Sequence, residues 1–391
     1  MTDAVIVSTA RTAIGTSFKG SLVGVDAFEL GRLTLEEIVR RSGVDPESVD
    51  DVALGETLYG GGDVARYAAI EAGLVHAPGV ALNRHCASGL SAISMAAGSI
   101  RSDMDRLVIA GGVHSQSTAP RSMKPGPDGA PVGWMSPSHP ETPDAPAFDM
   151  SITVAHNAAQ AADVTREEMD AWAYRSHQRA VAAIDSGAFE DEIFPIEVPD
   201  GEGGTRTFAV DEHPRRDTTM ERLAGLKVLH PEIEGFQVTA GNAGGINDAA
   251  GAVLVAADDL AAELGMEPLA VVRGWASVGV SPAETGLAPT KAIPKALGRL
   301  GLTVDDVDLF EINEAFAAMC VSTTRILGLD EEKVNVLGSG CSLGHPIAMT
   351  GSRMVMSLVH ELRRRGGGTG VAAMCAGGGM AGAVVLEVPV P

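Results

Sequence analysis

The chain alternates between short apolar runs and amphipathic stretches. It opens on Ala4-Val5-Ile6-Val7, a run of strand character. Similar runs occur at Leu107-Val108-Ile109-Ala110, from Val307 to Ile312, and at Ala372-Ala373-Met374-Cys375. The first and last of these three end in glycines, Gly111-Gly112 and Gly377-Gly378-Gly379. Helical periodicity from Leu33 to Gly43 and from Ile293 to Gly301 predicts two helices with glycine stops. A longer amphipathic helix is predicted from Arg166 to Ser186, with Thr165 as N-cap and Glu167 and Glu168 in its first turn. Its apolar positions, Met169, Trp172, Ala173, Ser176, Ala180, Ala183 and Ile184, read as packing residues. Residues 119–146 are rich in proline and lack periodicity, which predicts an irregular loop.

The same order of elements occurs twice. Residues 49–56 read VDDVALGE and residues 304–311 read VDDVDLFE, six identities in eight at an offset of 304 − 49 = 255. Each copy follows a helix-like stretch and leads through a run containing Asn (Asn83, Asn335) to a turn of small residues and a helix. Each half then returns to a glycine-ended strand. Two similarly folded α/β halves follow from this repetition. The expected division is residues 1–117, completed by 246–268, then an inserted loop domain at 118–245, then a second half at 269–391.

Composition narrows the class. The 391 residues are 45% hydrophobic but only 4% aromatic, and the net charge is −22 with a pI near 4.8. Such a field argues against nucleic acid or an anionic membrane as partner. No apolar stretch reaches spanning length. The four cysteines, Cys86, Cys320, Cys341 and Cys375, form no CxxC pair, and no His cluster has zinc spacing. Reduced thiols in a cytoplasmic enzyme without a bound metal are the expectation.

Four short motifs carry candidate chemistry. Cys86, in NRHCASG, stands at the start of a predicted helix, where the dipole and free N–H groups favour a thiolate. His345 is pinned between Gly344 and Pro346, with Pro346 placed to open a helix. Cys375 ends a strand before Gly377, and a thiol there can move a proton near neutral pH. Asn313, in NEAFA, lies at a strand-to-helix junction, where it reads equally well as a helix N-cap.

Taken together and in this order, NRHCASG, TAGNAGGIND at 239–248, NEAFA, GHP and CAGGGM closely resemble the thiolase family, as does RTAIG at 11–15. The resemblance covers essentially the whole chain. It implies a duplicated, layered α/β/α/β/α fold and a CoA-dependent acyltransferase that cleaves 3-ketoacyl-CoA or condenses acetyl-CoA. It implies Cys86 as acyl carrier, His345 as its base, Cys375 as the acid/base at the α-carbon, and Asn313 as the residue holding an oxyanion-site water. The Gly377 N–H, with that of Cys86, becomes an oxyanion hole. Arg215, Gly244, Met150 and Ala315 are placed against CoA, which acts as substrate with no permanently bound cofactor. A homodimer or homotetramer is implied as well. The chain departs from the family at VHSQS (113–117), where a Met-Glu-Ser-Met run is common, and at Gly244, where many members have Ser. It also departs at Cys341 and at Asp149, where short-chain members often have His. Ketoacyl synthases share the fold but place His or Asn where this chain has Cys375. A non-catalytic acyl-binding protein would be expected to lack one of the four residues.

Overall fold

A computed structural model describes residues 2–59 and 62–390. Nine strands form one continuous path: β1 Ala4–Arg11, β2 Asp51–Gly55, β3 Gly79–Leu82, β4 Leu107–His114, β5 Asn247–Ala257, β6 Ala270–Gly279, β7 Leu309–Ile312, β8 Gly368–Ala376 and β9 Met380–Val388. Their order is β7-β8-β9-β6-β1-β5-β4-β2-β3, with a two-residue strand, Gly15–Thr16, on β5. Seven longer helices accompany them: α1 Ala27–Ser42, α2 Val64–Glu71, α3 Ser88–Arg101, α4 Arg166–Asp185, α5 Pro289–Gly298, α6 Ala317–Leu327 and α7 Thr350–Arg364.

The sheet path is near-symmetric about the antiparallel β1–β6 junction, where Val5 faces Val271 and Ile6 faces Ala270. Outward from it run β1-β5-β4-β2-β3 on one side and β6-β9-β8-β7 on the other, the latter continued by a Phe310–Val334 bridge where β3 stands in the first half. Period-two alternation builds the layers. Val52, Leu54, Leu107 and Ile109 pack with α1 and α2 on one face. Their neighbours Ala53, Val108 and Ala110 turn to the opposite face, onto α3 and α7. In the second half Ala372 and Met374 join that same central core, while Val371, Ala373 and Cys375 face α5, α6 and α4. Two sheet halves with a shared helical layer between them and helices outside give the layered α/β/α/β/α fold.

The duplication holds, but the octapeptide match is out of register. Asp50 N–H donates to Leu107 O (2.8 Å) and Asp308 N–H donates to Thr369 O (2.9 Å), so Asp50 and Asp308 are equivalent. The short helical turns that precede them, Pro46–Ser48 and Val304–Asp306, agree. The structural offset is 308 − 50 = 258, three residues from that of the sequence match. Val and Asp are simply what a turn entering a buried strand uses.

Local boundaries mostly follow their caps. Gly43 ends α1 at φ 67°, where a side chain would be strained. Thr165 and Glu168 form a reciprocal capping box on α4. Residues 119–146 are irregular apart from an exposed hairpin, Met123–Pro125 with Pro131–Gly133. Pro346 does not open a helix: α7 begins at Thr350, and the Pro346 carbonyl accepts from Met349 N–H (2.8 Å) and Thr350 N–H (3.1 Å) in the preceding turn. No described helix is long and apolar enough to cross a membrane.

Candidate active site

Strand ends and helix starts bring the four motifs to one place. Cys86 occupies the turn between β3 and α3, and it is half-buried. The turn is held by Asn83 Oδ1, which accepts from His85 N–H (2.8 Å), and by Ser88, whose hydroxyl donates to His85 O (2.6 Å). His85 takes φ 47°, a left-handed backbone that costs a non-glycine residue energy. The reward is that the next residue, Cys86, is presented above the start of α3.

Gly377, in the turn between β8 and β9, aims its N–H at the Cys86 sulfur, and Cys86's own N–H acts alongside it. Burial still dominates. It pushes the Cys86 thiol up to about 11, against the two N–H groups. The helix start therefore does not make a resting thiolate. Cys375 lies at the end of β8, 1% exposed, and its thiol is raised by burial and by its neighbour Cys86. All four cysteines are free, and Cys86 and Cys375 rest as thiols.

His345 and Asn313 form a second group. His345 is pinned through its backbone N–H to Gly245 O (3.2 Å) and Asn247 Oδ1 (3.1 Å). Its Nδ1 pairs with Thr350 Oγ at 2.7 Å, at the first turn of α7. Burial, then His114 and Arg353, push its imidazole down to about 3, so it is neutral across the neutral range. Asn313 is fully buried, with Nδ2 3.4 Å from the His345 ring and Oδ1 without a partner among the described residues. It is not an N-cap, because α6 begins at Ala317 with Phe316 at its cap position. An orphaned buried amide oxygen is a natural seat for a bound water or substrate oxygen.

The two groups meet where Gly89, in the first turn of α3, donates its N–H to Ala348 O (2.9 Å) in the His345 loop. Asn313 N–H likewise donates to Ala373 O (3.0 Å) on the Cys375 strand. No hydrogen bond joins Cys86 Sγ to His345 among the described residues. Such bonds are often long without substrate and tighten in the reacting complex.

The flanking residues separate clearly. Arg216 is committed to Asp185 (2.8 Å), whereas the Arg215 guanidinium has no ion pair among the described residues, and the Arg215 backbone N–H donates to His177 Nδ1 (3.1 Å). Gly244 donates its N–H to Ala315 O (2.9 Å), and a Cβ there would stand 2.9 Å from Glu314 O. Cys341 Sγ also contacts Glu314 O (3.7 Å), so two departures from the usual pattern crowd one carbonyl. Met150 and Ala315 pack in the same apolar cluster. Asp149 binds His230 (2.8 Å) and Ser151 Oγ (2.6 Å).

Sequence reading passed over Glu314. Its buried carboxylate accepts from Trp172 Nε1 (2.9 Å), Ser176 Oγ (2.6 Å), Asn335 Nδ2 (2.9 Å) and Cys341 N–H (3.1 Å). It sits beside Asn313 and locks α4 to the second half. A charge inside the apolar NEAFA run was the available signal.

Comparison with known proteins identifies the family. The family description "Thiolase, N-terminal domain" matches residues 4–259, and "Thiolase, C-terminal domain" matches residues 266–388. The chain is 43% identical over 399 residues to an acetyl-CoA acetyltransferase of Pseudomonas aeruginosa, covering 99% of each. A crystal structure of the Bacillus anthracis acetyl-CoA acetyltransferase superposes with a TM-score of 0.91 at 40% identity, covering 99% of each chain. A human mitochondrial 3-ketoacyl-CoA thiolase superposes with a TM-score of 0.90 at 35% identity, again over 99% of each. With both family domains matched and the fold shared along its length, this chain belongs to the thiolase family of acyl-CoA C-acyltransferases.

Proposed function

We propose that the protein carries an acyl group on Cys86 and makes or breaks the carbon–carbon bond beside a CoA thioester. The observation that carries this reading is the convergence of two thiols: Cys86, with the Gly377 N–H at its sulfur, and Cys375, close enough for Cys86 to raise its thiol electrostatically. In the cleavage direction the Cys86 sulfur attacks the 3-keto carbonyl as its proton passes to neutral His345. The carbonyl oxygen gathers negative charge and is met by the N–H groups of Cys86 and Gly377. The C2–C3 bond then breaks, and Cys375 gives its proton to the departing C2, releasing acetyl-CoA. The Cys375 thiolate regains a proton from incoming CoA, whose sulfur attacks the Cys86 thioester and releases the shortened acyl-CoA. His345 returns its proton to Cys86. For the thioester oxygen in this second step, the orphaned Oδ1 of Asn313, whose amide lies beside His345, supports a water held there.

For CoA itself, the unpaired guanidinium favours Arg215 over Arg216 at the nucleotide end. Gly244, Met150 and Ala315 border the pantetheine path, beneath an inserted segment at 118–245 set between halves at 1–117 with 246–268 and at 269–391. CoA is substrate, with no resident cofactor. We further assign a homodimer or homotetramer in the cytoplasm, pairing through the sheet of the first half; among the described residues β3 is bonded only on its β2 side, leaving an open edge. The test is the absorbance of the acetoacetyl-CoA–Mg²⁺ complex with CoA added. Decay in wild type, with a loss of at least about 10³-fold in Cys86→Ser, is expected. Undiminished decay in Cys86→Ser would contradict it.

A further inference from the structure

Three groups converge on one point beside Cys86. A Cβ built on Gly377 would lie 3.5 Å from Ser138 Cβ, 3.6 Å from His85 Cγ and 3.8 Å from Ser138 Oγ. Ser138 also sets its carbonyl 2.7 Å from the corresponding position on Gly378. The proline-rich loop thus lies over the turn whose N–H reaches the nucleophile. His85 and Cys86, adjacent in the chain, are both half-buried.

The wall this makes is polar. His139 Nε2 lies 2.9 Å from Ala145 O, so that nitrogen carries the ring proton, since a carbonyl only accepts. His139 Nδ1 is therefore an acceptor and takes the Ser138 hydroxyl proton at 2.8 Å. Ser138 is left with free oxygen lone pairs, and both nitrogens of His139 are used. His85 differs: neither of its ring nitrogens has a hydrogen-bond or ion-pair partner among the described residues, although its backbone is fully tied and strained. Burial, then His139, holds the His85 imidazole below its ordinary value, so it is neutral and meets an acyl end as a hydrogen-bonding group rather than as a charge.

We propose that His85 determines acyl specificity by hydrogen-bonding a carboxylate at the far end of the acyl chain, so that the preferred substrates are 3-ketoacyl-CoAs with a carboxylate-ended acyl group. This rests on the acyl-Cys86 reading above and names its substrate class. An unpaired ring nitrogen beside the nucleophile favours an acyl end that can accept, and a methyl end leaves it unsatisfied.

The matched probes are 3-ketoadipyl-CoA and 3-ketohexanoyl-CoA, which differ only in a terminal carboxylate against a methyl, with acetoacetyl-CoA as reference. The readout is the ratio of kcat/KM for the two six-carbon substrates within each variant, so a general loss of activity or folded protein cancels. Wild type should favour the carboxylate by at least about tenfold. His85→Leu should bring the ratio to one or below. His85→Asn should keep the preference, because its amide still donates and Asn tolerates the left-handed backbone. A wild-type preference for 3-ketohexanoyl-CoA, or a His85→Leu ratio equal to wild type, overturns the assignment while acetoacetyl-CoA turnover keeps the thiolase reading standing. No turnover of any of the three overturns both.

Discussion

At the scale of single residues, the molecule's chemistry is set by burial more than by partners. Burial holds His114, His177, His213 and His360 down to about 4, and His345 to about 3. These imidazoles stay neutral when folded and bind protons near pH 6.5 once unfolded. With folded values depressed, their contribution to stability is complete above about pH 6.5 and is lost as pH falls toward 4. Each contributes a slope of up to about 1.4 kcal/mol per pH unit inside that window. Urea titrations at pH 7.0 and 5.5 should show a marked loss of unfolding free energy at the lower pH, and His360→Gln should shrink that loss by about one histidine's share. Equal stability at the two pH values would mean the imidazoles are not held neutral. The same burial makes the resting nucleophile a thiol rather than a thiolate, which the helix-start position of Cys86 alone did not foretell. Sequence spacing reveals which dipoles surround a group, but not how much water it has lost.

At the scale of elements, the first-half strand β1 is tied to the inserted segment by a buried charge network. Arg11 donates to both carboxylate oxygens of Asp211 (2.8 and 2.9 Å) and through Nε to Glu192 (2.9 Å), all three side chains being fully buried. Asp211 also takes the Ile14 N–H (2.7 Å), and Ser357 of α7 donates to Glu192 (3.1 Å). Removing Arg11 leaves two carboxylates uncompensated, so Arg11→Leu should cost about 3–5 kcal/mol in a denaturant titration. A cost under about 1 kcal/mol would show the network to be incidental. RTAIG was legible as a family motif, yet its role is docking, and only the fold brings residues 192 and 211 to it. Helix and strand identities were readable from periodicity and caps, as the Thr165–Glu168 box illustrates. The register of the repeat was not, since the VDDV identity reflects similar local chemistry at positions three residues apart in structure. Nor was the placement of Ser138 over Gly377, a contact that spans more than two hundred residues of chain and has no local signature.

At the scale of the whole molecule, duplication explains why the site lies where it does. The central helices α3 and α7 come from opposite halves and pack within one core between the sheets. The loop before α3 carries Cys86, and the loop before α7 carries His345; strand ends of the second half add Asn313 and Cys375. On the mechanism proposed above, a fold of two similar halves yields one asymmetric site, with the acyl carrier from the first half and the proton-moving groups from the second. That division of labour is the account's central claim. It is tested most directly by mapping the acyl group by peptide mass spectrometry after incubation with acetyl-CoA, in wild type, Cys86→Ser and Cys375→Ser. An acetyl adduct on the Cys86 peptide is predicted in wild type and in Cys375→Ser, which keeps the nucleophile, His345 and the oxyanion donors, with none in Cys86→Ser. An adduct on Cys375, Cys341 or Cys320, or one that persists in Cys86→Ser, would contradict it.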